Sequence, residues 1–183
     1  SNGCAGQSPA IPVVVNPLPV VAITASGPVS FCEGGTVDLD AGAGFKTYRW
    51  STGAVTRRIT LNTAGSYSVA VTNDFDCGAT SAPVTVTVFP LPRPVVVITG
   101  DTVFCEGDSV RLDAEAGFAS YRWSNNAASQ SIIVKTTGTF FVTVTDGNSC
   151  VNASRPVSVT VNPKPPSVIT PLGRTAFCDG DSV

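Results

Sequence analysis

Gly65-Ser66-Tyr67-Ser68-Val69-Ala70-Val71-Thr72 sets its larger apolar side chains at every second position, and 73 residues later Gly138-Thr139-Phe140-Phe141-Val142-Thr143-Val144-Thr145 repeats the pattern, with Phe141 alone out of phase. A period of two belongs to a strand that buries one face and wets the other. The repetition extends in both directions from this stretch. Upstream, Tyr48-Arg49-Trp50-Ser51 returns as Tyr121-Arg122-Trp123-Ser124. Further upstream, Phe31-Cys32-Glu33-Gly34 returns as Phe104-Cys105-Glu106-Gly107, and then as Phe177-Cys178-Asp179-Gly180. Downstream, Pro83 maps to Pro156, and Cys4, Cys77 and Cys150 keep the same step of 73 with no gap. Self-similarity at a fixed period marks a tandem array. The chain reads as two whole repeats, 18–91 and 92–164. Residues 1–17 read as the C-terminal part of a preceding repeat, containing its strand G, and 165–183 as the N-terminal part of a following one.

Within a repeat, short alternating runs are punctuated by Gly, Pro, Asn and Asp, the pattern of a sandwich of short strands. In the first repeat Val20–Thr24 reads as strand A, Thr36–Ala41 as B, Thr47–Ser51 as C, Arg58–Asn62 as E, Ser66–Thr72 as F and Pro83–Val88 as G. The fold class is therefore all-β: tandem immunoglobulin-like antiparallel β-sandwiches. Trp50 and Trp123 on strand C, with Tyr67 and Phe140 on strand F, are the expected core aromatics. Gly65 and Gly138 fall where E turns into F, and a positive φ is expected there. Asn73–Asp76 and Asp146–Ser149 read as F–G turns. Pro90-Leu91-Pro92 and Pro163-Lys164-Pro165 read as short, stiff linkers.

Composition removes several function classes. Charged residues make up 13% of the chain, with 11 basic against 13 acidic. A net charge of −2 gives no electrostatic footprint for nucleic acid. Histidine is absent, and with it the commonest general base and metal ligand. No G-x-S-x-G nucleophile motif occurs. No enzyme, catalytic residue or cofactor is expected. No apolar run approaches the ~18 residues of a membrane span, and Ser1–Ser8 lacks the basic head of a signal peptide.

The combination F-C-x-G, Y-x-W-S, G-x-Y/F-x-V-x-V-T, a cysteine in the next turn, and P-V-x-V-x-V resembles the Ig-like and polycystic-kidney-disease-like repeats of large cell-surface proteins of Bacteroidetes. The resemblance covers essentially the whole chain and points to a repeat class rather than one protein. It implies adhesins, gliding-motility filaments or stalks exported by the type IX route, in an extracellular or cell-surface setting.

Six repeat-locked cysteines without close C-x-x-C pairs argue for structural disulfides in an oxidising compartment, and against a zinc site. Three regular pairings fit the period. One joins Cys32 to Cys77 and Cys105 to Cys150 within repeats. A second joins Cys4 to Cys32, Cys77 to Cys105 and Cys150 to Cys178. The third joins Cys32 to Cys150. A disulfide needs Cα atoms within about 7 Å, and a strand of seven residues spans more than about 20 Å. The A–B and F–G turns thus stand at opposite ends of one sandwich. Cys32–Cys150 is the favoured pairing, with Cys77 and Cys105 left for further repeats, Cys4 and Cys178 for partners elsewhere, and the within-repeat scheme as its rival.

Acidic side chains near the turns, notably Glu33, Asp108 and Asp146, are candidate Ca2+ ligands, although Asp in a turn more often bonds its own backbone. Given the resemblance, Asp-Ser/Thr-apolar triplets make Thr102, Ser109 and Ser182 candidate O-glycosylation sites. Functionally the chain reads as the shaft of an extracellular surface filament or adhesin. The alternatives are repeats that themselves bind glycans or other cells, and spacers of a secreted multidomain enzyme. The expected partners are neighbouring repeats of the same chain, other filament chains, and host or environmental surfaces.

Overall fold

The computed structural model describes residues 9–170 together with Gly3, Gly6 and Ala176. It divides into two compact units, Ser1–Leu91 and Pro92–Val183. The first holds β1 (Thr24–Ala25), β2 (Ser30–Cys32), β3 (Val37–Asp40), β4 (Thr47–Trp50), β5 (Arg58–Leu61), β6 (Gly65–Tyr67), β7 (Val69–Thr72), β8 (Gly78–Thr80) and β9 (Val84–Phe89). The second holds β10 (Val96–Thr99), β11 (Val103–Cys105), β12 (Val110–Ala114), β13 (Ser120–Trp123), β14 (Ser131–Val134), β15 (Gly138–Phe140), β16 (Val142–Thr145), β17 (Val151–Ala153) and β18 (Val157–Asn162). No helix occurs among the described residues.

In the first unit β1-β3-β5 form one antiparallel sheet, the A-B-E layer. Opposite it, β4-β7-β8 and β2-β9-β6 divide the second layer. Strand F changes partner along its length: β6 pairs with β9, and β7 pairs with β4 and β8. Strand G is likewise split into β8 and β9. The split is stabilised by Ser81, whose Oγ accepts the Val69 N–H at 3.1 Å while its own N–H donates to the Val69 carbonyl at 2.9 Å. The second unit repeats this device with Ser154 and Val142. β2 runs parallel to β9, with Cys32 opposite Phe89, and β11 runs parallel to β18, with Cys105 opposite Asn162. Two layers of short strands with this order make each unit an immunoglobulin-like β-sandwich.

The core follows from the alternation. Leu39, Trp50, Val69 and Val71 are buried in the first unit, and Leu112, Trp123, Val142 and Val144 in the second. Every buried core residue of the first unit has a buried counterpart 73 positions later. Burying each such valine or leucine contributes roughly 1.5–3 kcal/mol, so the inward positions carry most of the folding energy. The tryptophans also need a partner for their indole N–H: Trp50 Nε1 donates to the Thr56 carbonyl at 2.8 Å and Trp123 Nε1 to Ser129 at 2.9 Å.

Three local expectations change. Strand A is shorter than Val20–Thr24: residues 9–23 have no strand pairing and β1 begins at Thr24. The same stretch includes the described part of 1–17, where a strand G was expected and where the described residues form no strand. β2 and β11 were not anticipated, because three residues pairing in parallel with a neighbour far along the chain leave no periodic signal. Finally, Gly65 and Gly138 are not among the positive-φ residues. The reason for glycine is an overlying ring. A Cβ on Gly65 would stand 3.2 Å from the Tyr67 hydroxyl, and one on Gly138 3.2 Å from the Phe140 ring. An aromatic two residues along the strand covers the bare backbone of the glycine.

Candidate cross-linking site

The cysteines occupy two kinds of turn. Cys32 closes β2, after which the Glu33 N–H donates to the Phe89 carbonyl at 2.8 Å and the Gly35 N–H donates back to the Cys32 carbonyl at 2.9 Å. Gly34 carries a φ of 91° there. Cys105 closes β11 in the same way: Glu106 N–H donates to Asn162 at 2.9 Å, Asp108 N–H to Cys105 at 3.2 Å, and Gly107 has a φ of 102°.

The second kind is the F–G turn. The Asn73 N–H donates to the Cys77 carbonyl at 3.0 Å, and Asn73 Oδ1 accepts the N–H groups of Phe75 and Cys77. In the second unit the Asp146 N–H donates to the Cys150 carbonyl at 3.0 Å, and Asp146 Oδ1 accepts from Asn148 and Cys150. A short side-chain acceptor holding N–H groups two and four residues on sets this turn and aims the cysteine. The left-handed residue differs in kind but not in place: Asp76 has a φ of 61° and Ser149 one of 64°.

The redox states divide the set. Cys32 and Cys150 are disulfide-bonded. Cys77, half-buried, and Cys105, exposed, are free thiols. The within-repeat pairs Cys32–Cys77 and Cys105–Cys150 are therefore not formed, and neither is Cys77–Cys105. Topology gives the reason for the within-repeat pairs. Cys77 precedes β8 at the start of strand G, whereas Cys32 lies opposite Phe89 at its end. Strand G advances about 3.3 Å per residue, which separates the two by several times the reach of a disulfide. Both cysteines of the favoured pairing are bonded. Cys4 and Cys178 lie outside the described residues, as does Ser182.

The other candidates resolve into turn and surface roles. Glu33, Asp108 and Asp146 do not converge: among the described residues no three of His, Cys, Asp and Glu gather for a metal. The Asp146 carboxylate is engaged in its own turn instead. Thr102 is half-buried, with its carbonyl accepting from Thr160, and Ser109 is exposed ahead of β12. Trp50 and Trp123 lie inside the two cores, which leaves neither as an exposed stacking platform.

Sequence reasoning missed two polar features. Arg57 and Arg58, at the start of strand E, both reach Asp40: Arg57 Nη2 lies 2.8 Å and Arg58 Nε 2.7 Å from Asp40 Oδ2. The Arg57 hydrogen bonds, then that of Arg58, hold the Asp40 carboxyl well below the usual carboxylate range. The signal was the Arg-Arg pair itself. The other feature is an open cleft of about 460 Å³ in the second unit, lined in part by Arg93, Val95, Val96, Arg155 and Val157. The first unit has Val20 and Ala82 at the positions of Arg93 and Arg155. Beside the cleft, Asn152 Nδ2 donates to the Pro92 carbonyl at 2.9 Å, so this asparagine anchors the incoming chain.

No protein-family model matches the chain, and no curated protein does. Among solved structures it is similar to three N-terminal domains of the Highly Immunogenic Outer Capsid protein (Hoc) of bacteriophage RB49, at 20% identity over 77% of this chain and 58% of that one, with a TM-score of 0.39. It is similar to murine CEACAM1b at 14% identity, over 78% of this chain and 100% of that one, with a TM-score of 0.36. The fibronectin(III)-like modules of Clostridium thermocellum CbhA share 15% identity over 78% of this chain and 94% of theirs, with a TM-score of 0.36.

Proposed function

We propose that the chain is a structural segment of an extracellular surface filament or adhesin, a shaft of Ig-like repeats in which Cys32 pairs with Cys150. One observation carries this reading: Cys32 and Cys150 are disulfide-bonded while Cys77 and Cys105 are not. A disulfide linking successive repeats limits their relative motion by removing conformations from the unconstrained chain. A cysteine pair confined to one repeat would staple that repeat alone. Disulfides persist in oxidising compartments, which supports an extracellular setting. The resemblance to Bacteroidetes surface repeats supports a cell-surface array exported by the type IX route. The absence of histidine supports a non-enzymatic role.

Non-reducing peptide mapping tests the reading. A Cys32–Cys150 peptide supports the shaft. A Cys32–Cys77 peptide overturns it and leaves two independently stapled domains.

A second reading, in which repeats bind a glycan directly, draws on the cleft between Arg93 and Arg155. Neither guanidinium has a carboxylate partner among the described residues, and two unpaired arginines over an apolar floor suit an acidic sugar. A glycan-array screen tests this: binding of uronic-acid glycans that disappears on Arg155→Ala supports it, and no binding sets it aside.

A further inference from the structure

The cleft of the second unit is lined by two Arg-Pro pairs, Arg93-Pro94 on the entering chain and Arg155-Pro156 between β17 and β18. A residue before proline is confined to extended conformations, so each arginine leaves a stiff stretch of backbone. Each pair is also pinned from its N-terminal side by a polar side chain. Ser154 Oγ donates to the Arg155 carbonyl at 3.0 Å, while the Ser154 N–H donates to the Val142 carbonyl at 2.8 Å. Asn152 does the corresponding work for Arg93: its Nδ2 donates to the Pro92 carbonyl at 2.9 Å, and its Oδ1 accepts the Ala153 N–H at 2.9 Å. One side-chain amide thus bridges β17, the outer strand of its sheet, to the chain just ahead of Arg93. The first repeat has none of this. Val20, Ala79 and Ala82 stand where the second has Arg93, Asn152 and Arg155, so the two cations and the residue that holds one of them are present together or absent together. Strand A differs accordingly: β10 pairs with β12 over four residues, β1 with β3 over two.

We propose that Asn152 is a positioning residue for ligand binding in this cleft: it holds Arg93 where an acidic sugar meets it and Arg155 at once, and the bound sugar in turn locks strand A onto its sheet. The inference rests on the acidic-sugar reading of the cleft. Its physical content is linkage. A sugar gripped by both guanidiniums binds in full only while the entering chain is docked, so the docked fraction sets the apparent affinity. By reciprocity, whatever factor the asparagine clamp adds to sugar affinity, the sugar adds to docking of the chain. Two guanidinium forks carried on pinned backbone also lose less freedom on binding than two on loose chain.

The test uses the full chain and trigalacturonic acid, with affinity read by calorimetry and strand docking by hydrogen exchange of the β10 amides. Asn152→Ala should weaken binding about five- to tenfold, the worth of one net hydrogen bond, and Arg155→Ala should abolish it. In the unsubstituted chain, sugar at about ten times its Kd should slow exchange in β10 about tenfold. It should leave β1 of the first repeat unchanged, which makes that strand the internal control. An asparagine with a purely structural role would lower the urea midpoint when replaced and leave sugar affinity as it was. That outcome overturns the proposal, and so does a β10 whose exchange ignores the sugar. The exchange measurement needs no substitution, so it decides the matter where Asn152→Ala fails to fold. Either failure leaves the acidic-sugar reading standing as long as Arg155 is required for binding. No binding by the unsubstituted chain defeats that reading, and this inference with it.

Discussion

The two repeats share their buried positions and differ in the polar supports around them. In the first, the Tyr67 hydroxyl lies 3.0 Å from the Thr63 carbonyl and 2.9 Å from the Thr63 hydroxyl, tying strand F back to the preceding corner. In the second, Phe140 fills the same place with no hydroxyl to tie, although Thr136 occupies the position equivalent to Thr63. Asp40 of the first repeat is gripped by two arginines from strand E. Its counterpart Asp113 takes one arginine, Arg111, from its own strand. Lys46 pairs with Asp76 beside the first F–G turn, where the second has Ala119 and Ser149. The comparison teaches that this fold depends on a shared set of buried apolar positions, while its corners and surface ion pairs can be exchanged.

The largest effect should come from the shared core, and should be the same in both repeats. Leu39→Ala and Leu112→Ala each remove a fully buried side chain, and each should cost about 2–5 kcal/mol. Urea unfolding read from Trp50 in a Trp123→Phe background, and from Trp123 in a Trp50→Phe background, measures the two separately. A difference of several kcal/mol between them would break the equivalence.

The glycines should separate the repeats. Alanine at either would crowd the aromatic ring above it. Tyr67 is tethered through its hydroxyl and cannot move aside without losing those bonds, whereas the Phe140 ring has no such tether. Gly65→Ala should therefore cost about 1–3 kcal/mol, the range for overpacking a fitted site, and Gly138→Ala distinctly less. Equal costs in the same unfolding assay would show that the tether does not hold the ring.

Exchanging the corner residue should have a smaller effect, with opposite signs in the two repeats. Tyr67→Phe should destabilise the first repeat by about 0.5–1.5 kcal/mol, the usual net worth of a hydrogen bond. Phe140→Tyr should stabilise the second by a similar amount, because Thr136 stands where the new hydroxyl needs its acceptor. A destabilised Phe140→Tyr variant would mean that the second corner has diverged in backbone as well as side chain.

The smallest effect is in acid. The folded-state pKa of Asp40 lies below its unfolded value, so its ion pairs contribute fully above the unfolded pKa of about 3.9. That contribution is lost as pH falls from there toward the depressed folded value. Asp113 is lowered as well, chiefly by its hydrogen bond to Arg111. The larger shift at Asp40 predicts a steeper loss of stability in the first repeat between about pH 4 and pH 2. Asp40→Asn should flatten that slope, and added salt should weaken it, because the arginines are exposed.

Most of the sandwich was legible because burial of alternate side chains is written directly into the residue order. Val37 and Leu39, Ile59 and Leu61, and Val69 and Val71 each name a strand and its inward face. Less visible were features that depend on distant partners. Nothing about Ser30–Cys32 alone reveals a parallel neighbour 57 residues further on. Ser81 and Ser154 carry no local signal of their role, which comes from their hydroxyls accepting the N–H groups of Val69 and Val142. The glycines before Tyr67 and Phe140 were seen, but for the wrong reason, since a ring lying over a backbone is invisible in one dimension.

Sequence by itself determined the period, the strand faces, the core aromatics and the two positions at which cysteines recur, because each follows from local alternation or from self-comparison. Tertiary structure decided which cysteines are bonded and which are free, how strand G is split, and which arginines find Asp40. Those outcomes turn on distances between residues far apart in the chain, and only the folded backbone sets such distances.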